Sequence, residues 1–128
     1  MLSELRKPSP SATVVDWFER SSSAALFSSV LVIGELRYGA ESLRHRDPRR
    51  SLKLDEWIAA VQEGFAERVL PVTTPVAEAW GRLRAVGPLP FVDGLLAATA
   101  LVHGLTVVTR DTDPFERVGV PWLDPWSA

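Results

Sequence analysis

Phe91-Val92-Asp93-Gly94-Leu95-Leu96-Ala97-Ala98-Thr99-Ala100-Leu101-Val102-His103-Gly104-Leu105-Thr106-Val107-Val108-Thr109-Arg110-Asp111 decides the fold class of this 128-residue chain. Phe91 to His103 is apolar nearly all round, which predicts a helix buried on most faces. Gly104 is a suitable terminator, and the stretch from Leu105 to Thr109, rich in β-branched residues, predicts a strand that runs into an acidic turn. Beyond it, Val120 to Leu123 reads as a short last strand. On the other side, Gly87-Pro88-Leu89-Pro90 breaks the chain. Thr73-Thr74-Pro75 is a helix start, a threonine cap ahead of a proline, for a helix reaching roughly Val86. Arg68 to Val72 reads as a buried strand. Further back, helices are expected from about Ser51 to Ala66, with Leu52, Trp57, Ile58 and Val61 among its apolar residues, and from Val30 to Leu43. A short strand is expected over Ala24 to Ser28, and an amphipathic helix over Ala12 to Arg20. Strands alternating with helices, through connections too long for hairpins, argue for an α/β fold. Its sheet is mostly parallel, with helices on both faces. No repeat, low-complexity tract or linker breaks the pattern, so a single domain over 1–128 is expected.

With 46% hydrophobic residues the chain can bury one core. The absence of cysteine excludes disulfides, thiolate zinc sites and a cysteine nucleophile. No apolar run has membrane-spanning length, and Met1 to Lys7 is not followed by a signal-peptide core, so a cytoplasmic protein with no membrane partner is expected. The formal charge of −2 lacks the basic excess usual in nucleic-acid binders. Clustered carboxylates offset by divalent cations and local arginines are compatible with that value, and arginine supplies 12 of the 14 basic residues. Its planar fork suits phosphate.

Three positions hold acids where acids are costly or where ligands collect. Glu35 falls at the edge of the helical stripe Val32, Leu36, Gly39 and Leu43, where its charge must meet either a metal or an ion-pair partner such as Arg37 or Arg44. Asp93 stands at the entrance to the apolar helix, where an N-cap accounts for it as well as a site does. Asp111 and Asp113 follow the strand Leu105 to Thr109, and the carboxyl ends of strands are where open α/β sheets bind ligands, although turn chemistry alone also favours aspartate there. Together they form an oxygen-rich donor set suited to Mg²⁺ or Mn²⁺ rather than zinc, the chemistry that phosphodiester hydrolysis uses.

Several linked motifs carry a resemblance over essentially the whole chain. Leu2-Ser3-Glu4-Leu5-Arg6-Lys7-Pro8, Ile33-Gly34-Glu35-Leu36-Arg37-Tyr38-Gly39, Ala79-Trp80-Gly81-Arg82-Leu83, the segment from Leu89 to Ala100, Val108-Thr109-Arg110-Asp111, and Gly119-Val120-Pro121 through Asp124-Pro125-Trp126 resemble PIN-domain proteins of the VapC/FitB toxin type. The resemblance implies a parallel sheet with flanking helices, a Mg²⁺-dependent ribonuclease activity, an RNA substrate, a cognate antitoxin and a homodimer. Glu35, Asp93 and Asp111 match the family's acidic positions, with Asp113 as a neighbouring alternative ligand. Family members usually open with a hydrophobic strand ending in Leu-Asp-Thr-Asn-Val, whose aspartate is a ligand. Met1 stands where that valine would be, so the first strand is missing from this chain and a start upstream of Met1 is expected. The stretch between Arg84 and Leu89 is also shorter than the family's, and Gly94 departs from the residue usual after the aspartate.

Two other functions compete. A receiver domain needs an acid at the end of a central strand and a lysine after a later one, yet Val69 to Thr73 ends without an acid and the lysines are only Lys7 and Lys53. A PIN fold that binds antitoxin or RNA without cleaving is the stronger rival. Arg110, Arg46 and Arg49 are candidate RNA contacts, the latter two in the basic loop Arg44 to Arg50, which reads equally as a solvated loop. Trp57, Trp80, Trp122 and Trp126 are expected in core or interface rather than as base-stacking platforms, and His103 as a helix C-terminal residue favoured by the dipole.

Overall fold

A computed structural model describes Lys7 and residues 9–127. The expectations that fall on residues 1–6 and 8, and on a strand ahead of Met1, lie outside these residues. The chain divides into two compact units, Leu26–Pro71 and the remainder.

In Leu26–Pro71, strand β1 (Ser28–Ser29) leads directly into helix α2 (Val30–Ser42), with α1 (Ala12–Arg20) preceding them in the chain. Ser29 caps α2 by accepting the Leu31 N–H at 3.1 Å. The Ala24 to Ser28 strand expectation is corrected: Ser23–Ala25 is a 3-10 turn, and extended pairing begins only at Ser28. Helix α3 (Pro48–Phe65) starts earlier than expected, because Asp47 accepts the Arg50 N–H at 3.2 Å and Pro48 takes the first helical position. Strand β2 (Val69–Leu70) pairs parallel with β1, Ser28 opposite Val69 and Ser29 opposite Leu70.

Two contacts tie α2 to α3. The fully buried Ser51 donates its hydroxyl to the Ala40 carbonyl at 2.9 Å, and Ala40 itself is buried. Asp55 on α3 receives Arg37 at 2.6 Å on one oxygen and Arg44 at 2.7 Å on the other, while Arg44 also reaches Glu41. Ile58 is fully buried, whereas Leu52 is 60% exposed. Gly39 is exposed too, so the stripe read from the sequence is narrower than expected: Val32, Leu36 and Leu43 are half-buried and Ala40 takes the deepest position.

In the other unit, α4 (Thr74–Val86) and α5 (Phe91–His103) form the body. Thr73 caps α4 through the Val76 N–H with Pro75 in the first turn, as the sequence predicts. Val76 and Leu83 of α4 share a core with Ala97, Ala98 and Ala100 of α5, small residues that allow close helix approach, and with Phe115 and Val120. The buried Thr99 hydroxyl is satisfied by the Leu95 carbonyl at 2.8 Å. Gly104, at φ 65°, ends α5: its N–H goes to Leu101 and that of Leu105 to Ala100, the paired bonds of a Schellman ending.

Strand β3 (Val107–Val108) pairs parallel with β4 (Trp122–Leu123). Between them the expected acidic turn is a short helix, α6 (Asp113–Arg117), whose Pro114 and Phe115 are buried. An apolar Phe115 inside an otherwise polar run makes the segment helical, because the ring has to reach the core. The class is α/β, and both strand pairs are parallel.

Phe115→Ala is expected to destabilise the fold by about 3–5 kcal/mol, read from urea denaturation, because a 2% exposed ring leaves a cavity. Asp55→Asn is expected to lower the melting temperature at neutral pH. The Arg44 and Arg37 bonds hold the Asp55 carboxyl below its ordinary 3.8, against a smaller opposing effect of burial, so the native interaction is fully present above 3.8 and is lost as pH falls through the depressed value. Melts of the two proteins should therefore converge in acid; a constant gap would show that the ion pairs are not its source.

Candidate metal and nucleic-acid site

Parallel pairing puts the carboxyl ends of β3 and β4 side by side. The ladder runs from Val107 N–H to Pro121 O and from Thr109 N–H to Leu123 O, each at 3.0 Å. The chain leaving β3 is Arg110-Asp111, and the Thr109 hydroxyl accepts the Asp111 N–H at 3.2 Å, which fixes how the chain turns. The chain leaving β4 is Asp124-Pro125-Trp126.

Asp93 lies in the first turn of α5, not ahead of it. The cap position is Pro90, with no side-chain capping bond, so the N-cap expectation for Asp93 is corrected. Proline at 90 and helical geometry from Phe91 onward place Asp93 third in the helix, where a carboxylate still gains from the dipole but caps nothing. The helix is pinned there by Trp80. A Cβ added at Gly94 would lie 3.0 Å from Trp80 Cδ1 and 3.1 Å from Nε1, so glycine lets the indole rest on the α5 backbone. Phe91 meets Trp80 edge-on at 5.1 Å and Arg84 covers the indole at 4.8 Å. Trp80 is thus a half-buried packing residue, as expected.

Asp93 is half-buried and forms no hydrogen bond or ion pair among the described residues. Burial pushes its carboxyl above the ordinary 3.8, and the Asp111 charge pushes it further in the same direction. The structure therefore brings Asp93 and Asp111 within electrostatic reach of each other. Asp113 does not join them in that interaction; it is exposed and opens α6. A half-buried carboxylate repelled by a second acid, with no basic partner, fits a divalent cation: oxygen donors of like charge gain most when a hard cation enters between them. Among the described residues no group of three or more His, Asp or Glu side chains is arranged to hold a metal ion.

Glu35 sits on α2 in the other unit and is exposed. Its alternative explanation, an ion pair with Arg37 or Arg44, does not hold, because both arginines are committed to Asp55. Arg46 and Arg49 are exposed, Arg46 in the turn before α3 and Arg49 in its first turn. Arg110 is exposed, and its guanidinium carbon lies 5.2 Å from the centroid of the Trp126 ring. Trp126 is half-buried under that cation, a contact that the expectation of a core or interface residue did not include.

The class these features define is an α/β protein with one acid, Asp111, just past the carboxyl end of a parallel strand and a second, Asp93, in a helix first turn within its electrostatic reach, and the chain belongs to the PIN domain family, whose pattern matches residues 2–121. It is 32% identical over 132 residues to the VapC ribonuclease Y4jK of Sinorhizobium fredii, covering 99% of this chain and 94% of that protein. To the toxin FitB of Neisseria gonorrhoeae it is 32% identical over 133 residues, 98% of this chain and 94% of that one. The crystal structure of FitAcB from Neisseria gonorrhoeae superposes with a TM-score of 0.93 at 32% identity, covering 99% of this chain and 94% of that chain. No single described helix is long and apolar enough to cross a membrane.

In metal-free protein at neutral pH, Asp93→Asn is expected to raise the melting temperature, since it removes a charge that the fold disfavours. A carboxyl with a raised pKa contributes stability only when protonated, below its unfolded value, and loses it as pH rises through the folded one. The advantage of the Asn variant should therefore shrink on acidification. Asp111→Asn should bring the Asp93 pKa only part of the way back, because burial is the larger cause; NMR titration of the Asp93 carboxyl reads this directly.

Proposed function

We propose that this chain is a metal-dependent endoribonuclease toxin of a toxin–antitoxin pair, a single domain over 1–128 that hydrolyses RNA phosphodiester bonds in the cytoplasm. The observation that carries the proposal is the half-buried, unpartnered Asp93 in the first turn of α5, within electrostatic reach of Asp111, which follows the carboxyl end of the parallel strand β3. Membership of the PIN family, and likeness to proteins named a VapC ribonuclease and a toxin, support the same activity.

Glu35, Asp93 and Asp111 are the proposed catalytic carboxylates and metal ligands, with Asp113 available as a further ligand. The cation, Mg²⁺ or Mn²⁺, would supply a more acidic bound water and charge neutralisation at phosphorus. The chain's own part is to supply the acids whose charge a cation would neutralise and to offer arginines to the RNA backbone, Arg110 next to Asp111 and Arg46 and Arg49 at the start of α3. The proposed partners are RNA, a cognate antitoxin protein and a second copy of the chain.

A binding-only PIN protein is the second reading, and it is favoured by the absence of a three-acid cluster among the described residues. The two separate in one assay. Purified protein should cleave bulk tRNA or single-stranded RNA with Mg²⁺ or Mn²⁺ and stop in EDTA. Glu35→Gln or Asp93→Asn should lower the rate about 100-fold or more while the circular dichroism spectrum is retained. Cleavage that persists in EDTA, or that both substitutions leave intact, defeats the assignment; RNA or antitoxin binding without cleavage establishes the second reading.

A further inference from the structure

We infer that Trp126, held by a turn that Asp124 organises, is a positioning residue that braces Arg110 for contact with the RNA phosphate backbone beside Asp111. The inference rests on the ribonuclease reading above and adds to it a way in which the substrate is gripped.

The starting point is the register of β3 and β4. With Thr109 bonded to Leu123, the residues that follow each strand leave the pair at the same end, so the exposed Arg110 emerges beside the segment Asp124 to Ser127. That segment is fixed locally. One Asp124 oxygen accepts the Trp126 N–H at 2.9 Å and the other accepts the Ser127 hydroxyl at 3.2 Å, an aspartate-led turn. Pro125 between them is fully buried and limits its own backbone rotation. Trp126 is therefore anchored on both sides of its peptide, with its indole half-buried.

Arg110 lies over that indole at 5.2 Å and forms no ion pair among the described residues. A cation–π contact restrains the guanidinium but uses none of its five N–H donors. A restrained, fully armed fork then stands next in sequence to Asp111. Such a group suits a phosphodiester oxygen, since a pre-ordered arginine loses less side-chain freedom on binding than a free one. The carboxylates would hold a cation that supplies charge neutralisation at phosphorus, and Arg110 would contact phosphate oxygens directly, so the two contacts would not compete for one charge.

The test is binding of a fluorescein-labelled, mixed-sequence single-stranded RNA oligonucleotide, followed by anisotropy with Ca²⁺ in place of Mg²⁺, alongside cleavage kinetics with Mg²⁺. Trp126→Ala is expected to weaken RNA binding about three- to tenfold and to raise KM more than it lowers kcat. It should also flatten the slope of log K against log salt by about 0.7, the loss of one phosphate contact on a single strand. Trp126→Phe should recover most of the affinity, and Arg110→Lys, which keeps charge but loses the stacking plane, should resemble Trp126→Ala. In an Arg110→Ala background Trp126→Ala should cost nothing more. Full additivity in that double variant, or native affinity in Arg110→Lys, overturns the inference while leaving the nuclease standing. Wild-type protein that neither binds nor cleaves the RNA overturns the ribonuclease reading itself, and this inference with it.

Discussion

The two parallel backbone bonds between β3 and β4 are a small amount of structure on which the functional end of the larger unit depends. Parallel strands share a direction, so whatever follows one emerges beside whatever follows the other. Here that places Arg110-Asp111 next to Asp124-Pro125-Trp126. An antiparallel pairing of the same residues would send the two segments to opposite ends. The pair cannot hold itself, being two residues long on each side, and is supported from below by α5 and by Phe115 and Val120 in the core. The stability of that core is therefore what keeps the acidic and basic groups in register.

The second constraint is electrostatic. Asp93 sits where burial and a neighbouring acid both oppose its ionisation, and no ion pair or hydrogen bond among the described residues compensates. By contrast, Asp55 in the other unit is an equally ordinary aspartate whose charge is met by two arginines and whose carboxyl is correspondingly depressed. The same residue type thus serves opposite ends. Asp55 joins two helices and is satisfied by them, whereas Asp93 is left unsatisfied by the fold, the condition in which an external cation gains most from binding.

How much of this was legible in sequence follows from how local each signal is. The bounds of α4 and α5 could be read because their ends are set by adjacent residues: Thr73 and Pro75 at one start, Gly104 with its left-handed φ at one finish. The family was legible for the same reason, as short motifs in order. Asp93 was misplaced as a cap because Pro90 already supplies the helix start, and the periodicity of an all-apolar helix gives no phase from which to count. The helix from Asp113 to Arg117 was hidden because it exists for one ring, Phe115, whose burial depends on residues far along the chain. The exposed Gly39 and Leu52 show the same limit on the helices α2 and α3, where only the facing element decides which part of a stripe is covered.

Arginine accounts for 12 of the 14 basic residues, but they are not interchangeable in use. Arg37 and Arg44 are spent on Asp55. Arg84 and Arg110 are each stacked on an indole and unpaired among the described residues, and Arg110 is distinguished by standing next in sequence to Asp111. Net charge is therefore a poor guide to nucleic-acid binding here. What matters is which cations the fold leaves uncommitted and whether it orders them, and an aromatic ring orders a guanidinium without consuming the donors that an anion needs.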